Sequence, residues 1–251
     1  MIILKSPQEI EKMRVAGRIV ASTIDSVLAA VRPGISTADL DAIAEAHIGE
    51  RGAAPSFKGY KGFPASICAS LNEELVHGIP SKERILREHD LLSLDFGAIW
   101  EGYHADSAVS VFVGEAPSAE AEKLVLVTEE ALEAGIGQIR PGGRLSDISY
   151  AVQQVVEGAG FSVVREYVGH GIGRSLHEDP QIANYGPPGR GPELRPGLVI
   201  AVEPMVNVGD WPTRVLPDDW TVVTADGSLS AHFEHTIAVT EGGHEILTAR
   251  G

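Results

Sequence analysis

The chain has 251 residues, 43% of them hydrophobic, a formal net charge of −15 and one cysteine, Cys68. That length and apolar content can build a substantial core, as one large domain or two small ones. The negative balance disfavours extensive attraction to nucleic acid or anionic membrane, and a lone cysteine excludes an internal disulfide and suits a reducing cytoplasm.

The N-terminal MIILKSPQEIEK has too short an apolar run for a signal peptide. No segment approaches the about 18 continuous apolar residues of a membrane span, so a soluble cytoplasmic protein is expected. Ser6, Pro7 and Glu9 start a helix, with Ser6 as N-cap, Pro at the first helical position and Glu9 completing a capping box. It runs through IEKMRVAGRIVASTIDSVLAAV and stops at Arg32, Pro33 and Gly34. A second helix follows from about Thr37 to near Gly52. The segment APSFKGYKGFPASICAS then reads as a loop. Residues 91 to 114, LLSLDFGAIWEGYHADSAVSVFVG, read as a β-hairpin. With its tip at Trp100 and Glu101, Asp95 would face Asp106, a like-charge pair about 4.5–5.5 Å apart at Cβ that needs compensation.

The same order recurs. A long helix in SAEAEKLVLVTEEALEAGIGQI is followed by Arg140, Pro141 and Gly142, then by a shorter helix, SDISYAVQQVVE, ending near Gly160. Pro33 and Pro141, Asp39 and Asp147, and Gly52 and Gly160 each lie 108 residues apart, and so do Asp95 and Glu203. The second copy then gains 20 residues within GDWPTRVLPDDWTVVTADGS, so that HADSAVSV matches HFEHTIAV and Asp106 aligns with Glu234. HGIP at His77 echoes HGIG at His170. Two helix-helix-hairpin halves, about 7–115 and 117–242, predict one pseudo-twofold α+β domain over 1–251, with helices outside and strands joined across the axis.

That symmetry would gather Asp95, Asp106, Glu203 and Glu234, with one histidine from each half. Four carboxylates in a low-dielectric site cannot all stay ionised without cations. The acids and a histidine suit two divalent ions, and the imidazole favours Mn²⁺, Fe²⁺, Co²⁺ or Zn²⁺ over an all-oxygen Ca²⁺ or Mg²⁺ site.

The sequence resembles the type I methionine aminopeptidases of the compact bacterial kind. LDFGAIWEGYHADSA, YVGHGIGRSLHEDP, VEPM, FEHT and SICASLNEELVHGIP carry the resemblance, which spans essentially the whole chain. It implies the pita-bread fold, a central antiparallel sheet flanked by helices, and two divalent ions on Asp95, Asp106, His170, Glu203 and Glu234. It also makes Glu203 both ligand and base, has His177 stabilise the oxyanion, and places His77 beside the scissile amide. The methionine pocket it implies is Phe57, Tyr60, Phe63, Cys68, Leu176 and Trp220, with His77 and His177 at its edge. Phe57 and Leu176 replace a cysteine and a phenylalanine of the best-known bacterial members, and Ala201 replaces a frequent hydroxyl residue. His47, His89 and His244 are expected in surface or capping roles, while His104, His232 and His235 flank ligands. Cys68 lacks a histidine at a nucleophile's spacing and is read as a pocket thiol.

The expected reaction is removal of the N-terminal methionine from nascent polypeptides with a small second residue, by a monomer that associates transiently with the ribosome. The nearest alternatives are a proline-specific peptidase and a metal-free polypeptide-binding protein on the same scaffold. The first usually carries a large extra N-terminal domain, and the second would have lost ligands that this chain retains.

Overall fold

The computed structural model describes residues 1–251. Helix α1 (Pro7–Leu28) starts at Ser6, whose hydroxyl accepts the Glu9 N–H while the Glu9 carboxylate accepts the Ser6 N–H. It ends before the expected Val31. The N–H groups of Ala30 and Val31 bond only three residues back, in a tightened final turn. Helix α2 (Thr37–Glu50) repeats the capping box with Ser36 and Asp39.

Five strands follow: β1 (Ala54–Pro55), β2 (Ile67–Leu71), β3 (Glu74–Val76), β4 (Leu91–Trp100) and β5 (Tyr103–Phe112). The segment expected as loop therefore supplies β1 and most of β2, both paired with β4. The pair α3 (Ala119–Ile136) and α4 (Leu145–Gly158) opens the second half. After it come β6 (Ser162–Val163), β7 (Gly169–Gly171), β8 (Glu178–Ile182), β9 (Val199–Val202) and β10 (Met205–Asn207). The chain ends with β11 (Thr213–Val215), β12 (Val222–Thr224), β13 (Ser230–His232), β14 (His235–Thr240) and β15 (Gly243–Ile246).

The hairpin register corrects the expected facing of Asp95 and Asp106. Glu101 (φ 47°) and Gly102 (φ 80°) form the two-residue turn, so Trp100 pairs with Tyr103, Asp95 with Ala108, and Asp106 with Gly97. Because the shift is two residues, both aspartates keep the same face as diagonal neighbours. Opposite Asp106 a side chain would not fit: a Cβ on Gly97 would lie 2.7 Å from Ser56 Cβ and 2.8 Å from the Phe57 ring.

In the second half the sheet order is β15-β14-β9-β7-β8. The halves meet along β5, where Ala108 and Glu234 exchange backbone hydrogen bonds at 3.4 and 3.0 Å. Val20, Ile24, Leu40 and Ile48 from α1 and α2 pack in one core with Leu92, Leu94 and Phe96 of β4. Val127, Ala131, Val152 and Val156 of α3 and α4 form another with Val206 and Ala231. Each buried Val, Leu, Ile or Phe among these contributes about 1.5–3 kcal/mol relative to exposure. No helix is long and apolar enough to cross a membrane.

Candidate active site

The two hairpins deliver the acids. Asp95 and Asp106 come from β4 and β5, Glu203 follows β9, Glu234 precedes β14, and His170 lies on β7, which pairs with β9. One ligand atom each from Asp106, His170 and Glu234 falls within 4.8 Å of the others. His170 Nε2 is 3.5 Å from Asp106 Oδ2 and 3.5 Å from Glu203 Oε1. Asp95 Oδ1 is buried without a hydrogen-bond partner. All five expected ligands line one cavity of about 210 Å³.

Burial first, and then the negative charge of neighbouring acids, pushes the carboxyls of Asp95, Glu203 and Glu234 well above the usual range. Asp106 is also raised by burial, against the opposing pull of His170 and of a Thr236 hydrogen bond. His170 Nδ1 lies 2.9 Å from the Gly171 carbonyl oxygen, which can only accept, so the lone pair of Nε2 faces the carboxylates. Packed buried acids, an unbonded carboxylate oxygen and an imidazole aimed among them fit the binding of a metal ion.

His77 and His177 flank that cluster along the cavity. His77 has a left-handed backbone (φ 60°), and its ring meets Tyr167 and Trp220 edge-on at 5.9 and 6.2 Å. Burial lowers its pKa to about 4. His177 Nδ1 is 2.8 Å from the Tyr60 hydroxyl, and its ring centroid is 4.3 Å from that of His170. Burial, followed by electrostatic opposition from the neighbouring His170 and Lys61 to a further positive charge, lowers its pKa to about 3.

Phe57, Tyr60, Phe63, Cys68, Leu176 and Trp220 all line the cavity, with Trp220 edge-on to Phe63 at 5.1 Å. The Trp220 loop is carried by β11 and β12, which pair with each other within the 20-residue gain of the second half, β12 also pairing with β3. Burial pushes the Cys68 thiol well up, so it stays protonated as a wall of the pocket.

Lys61, next to Tyr60, escaped the sequence reading as a wall residue, and so did Val76, Tyr167, Val168 and Met205. Their proximity to His77, His170 and Glu203 in the chain was the available signal. Among the flanking histidines only His232 reaches the site, with Nε2 3.7 Å from Glu203 Oε2. Period-two alternation puts it on the face of Glu234. His104 bonds Ser56 Oγ at 3.0 Å and His235 bonds Thr248 Oγ1 at 2.8 Å, and neither lines the cavity. His47 bonds Ser22 Oγ, while His89 and His244 bond the carbonyls of Glu115 and Ile139.

The sequence model of metallopeptidase family M24 matches residues 11–241. The chain belongs to this family. Within M24 it is 58% identical to methionine aminopeptidase 1 of Bacillus subtilis over 248 residues, covering 99% of both chains. It is 48% identical to methionine aminopeptidase 1 of Mycobacterium tuberculosis, over 97% of this chain and 94% of that one. The solved methionine aminopeptidase of Thermotoga maritima superposes with a TM-score of 0.98 at 49% identity, covering all of both chains. The prolidase of Pyrococcus horikoshii shares the pita-bread fold at a TM-score of 0.79 and 22% identity, with only 65% of its length covered. The M24 fold is thus common to both kinds of peptidase, and whole-length identity sets this chain beside the methionine aminopeptidases.

Proposed function

We propose that the chain is a metal-dependent methionine aminopeptidase, releasing N-terminal methionine from polypeptides whose second residue is small. The observation that carries this is the convergence of Asp95, Asp106, His170, Glu203 and Glu234 on a cavity walled by Phe57, Phe63, Cys68, Leu176 and Trp220. An apolar wall with a soft thiol suits an unbranched thioether side chain.

Those five residues would hold two divalent ions drawn from Mn²⁺, Fe²⁺, Co²⁺ and Zn²⁺. When bound, such ions supply Lewis acidity and lower the pKa of water towards about 7. Glu203 accepts the proton of the attacking water and returns it to the leaving amine. His177, neutral at working pH, donates a hydrogen bond to the scissile carbonyl as negative charge develops there. His77, also neutral, contacts the amide on the leaving side. Phe57, Tyr60, Phe63, Leu176 and Trp220 bind the side chain and exclude water from it. Nascent chains are the natural source of initiator methionine, which supports a cytoplasmic enzyme with transient ribosome contact, acting as a monomer.

The test is methionine release from Met-Ala and Met-Gly peptides by protein stripped of metal and then reloaded with each ion separately. Metal-dependent turnover is expected. Metal-loaded protein that leaves these peptides intact, or prefers X-Pro peptides, overturns the proposal.

A further inference from the structure

Tyr60 enters the sequence reading only as one aromatic of the cavity wall, yet its sole side-chain hydrogen bond is to a histidine at the site. Its hydroxyl is 2.8 Å from His177 Nδ1, and the two rings stack at 5.3 Å between centroids and 27° between planes. A neutral imidazole has one donor and one acceptor nitrogen, and the partner on one fixes the role of the other. A phenol oxygen shares its lone pairs with its ring, making it a good donor and a poor acceptor. An unprotonated imidazole nitrogen is a strong acceptor. The pair is therefore O–H···Nδ1, which leaves the proton on Nε2.

We infer that Tyr60 is a positioning residue that fixes His177 as the Nε2–H tautomer and sets the plane of its ring, so that the N–H is aimed before substrate arrives. This rests on the reading of His177 as the donor to the scissile carbonyl. The neighbouring ring supplies the contrast. His170 Nδ1 donates to the Gly171 carbonyl at 2.9 Å, so its Nε2 carries a lone pair instead. Two imidazoles with centroids 4.3 Å apart thus hold opposite tautomers, one suited to ligation and the other to donation.

The backbone around Tyr60 is built to hold it. Gly59 (φ 85°), Lys61 (φ 49°) and Gly62 (φ 93°) are all left-handed. The turn closes through Tyr60 N–H to Phe57 O at 2.9 Å, Phe63 N–H to Tyr60 O at 2.9 Å and Gly59 N–H to Phe63 O at 2.8 Å. Lys61 Nζ lies 5.3 Å from the Tyr60 ring centroid and covers its ring.

The test uses Zn²⁺-loaded protein labelled with ¹⁵N in its histidines, as wild type and as Tyr60→Phe, which keeps the ring and removes only the hydroxyl. The wild-type His177 signal should be that of a single Nε2–H tautomer, and Tyr60→Phe should shift it towards Nδ1–H. The same tautomer in both proteins, or Nδ1–H in the wild type, overturns the inference. In steady-state assays Tyr60→Phe should lower kcat about tenfold or more with KM little changed, since a misplaced imidazole proton impairs the transition state rather than binding. In a His177→Ala background the same change should cost nothing further, and an equal additional loss overturns the inference. If His177→Ala alone leaves turnover untouched, the donor role of His177 fails, and the ¹⁵N result still decides the tautomer.

Discussion

Thr236 Oγ1 grips Asp106 at three points: it accepts the aspartate's backbone N–H at 3.0 Å, and its one hydroxyl proton faces both the aspartate's carbonyl oxygen at 2.8 Å and carboxylate Oδ1 at 2.9 Å. The residues belong to opposite halves of the chain, so the grip fixes a ligand and an inter-half seam together. Thr236→Val leaves a buried N–H unpaired and should cost about 1–3 kcal/mol. It should also weaken divalent-metal affinity about 10–100-fold. Chemical denaturation of metal-free protein and calorimetric metal titration read the two effects separately. Unchanged metal affinity would restrict the threonine to folding.

Metal-free protein should become less stable as pH rises. Asp95, Glu203 and Glu234 have carboxyl pKa values raised in the fold by burial and then by the charge of neighbouring acids, Asp106 foremost. Each binds its proton more tightly folded than unfolded. The resulting stabilisation is complete below the unfolded value of about 4 and is lost as pH climbs through the folded value. Bound cations replace those protons, so loaded protein should escape the loss. Thermal melts across pH with and without chelator check this, and metal-free stability that rises from pH 4 upward would refute it.

Glu203→Gln keeps the shape of the side chain and removes its charge. Turnover should fall about 10²–10⁴-fold with the proton carrier gone. The metal-free variant should nevertheless melt higher than metal-free wild type, because one of the buried like charges has been removed. Near-normal methionine release would dismiss Glu203 as the base.

Trp220→Ala removes edge contacts to Phe63 at 5.1 Å and to His77 at 6.2 Å. With that wall of the side-chain pocket gone, KM for Met-Ala peptides should rise about tenfold, with a smaller effect on kcat. A loss confined to kcat would mean that the indole orients His77 rather than binding methionine.

Gly78→Ala places a Cβ 2.3 Å from the Ala69 carbonyl oxygen and 2.9 Å from Ser70 Cα, so the backbone beside His77 must move. The expected cost is about 1–3 kcal/mol of stability. Methionine release should fall by more than that loss of folded protein explains, as judged from kcat/KM per folded molecule. Wild-type kcat/KM would show that His77 tolerates displacement.

Helix starts were legible wherever a short polar side chain makes the cap, as at Ser6, Ser36 and Ser118. The start of α4 was misjudged by a residue because its cap is Arg144, whose backbone N–H bonds Asp147 and whose side chain leaves no pattern. The duplicated acids were legible because each interrupts an apolar strand at a repeated spacing. The hairpin register was not, because Glu101 adopts a left-handed conformation that glycine more commonly marks. Pairings between distant segments leave still less trace. Lys5 and Glu178 form an ion pair at 2.8 Å with 3% and 9% side-chain exposure, anchoring the loop of Leu176 and His177 to the N-terminal segment. Neither residue differs in type from a surface charge.

Asp95 and Asp106 lie within paired strands, and Glu203 and Glu234 border them, whereas Tyr60, Leu176 and Trp220 lie on turns and loops between strands. The acids and most of the side-chain pocket therefore have separate mechanical supports, joined where Cys68 pairs with Asp95 and where His177 follows Leu176 and bonds Tyr60. Loop sequences can be exchanged to accept a different first residue while the hub of acids keeps its shape. The architecture is a fixed hydrolytic engine with a replaceable rim, and redesign of its selectivity should begin at the rim.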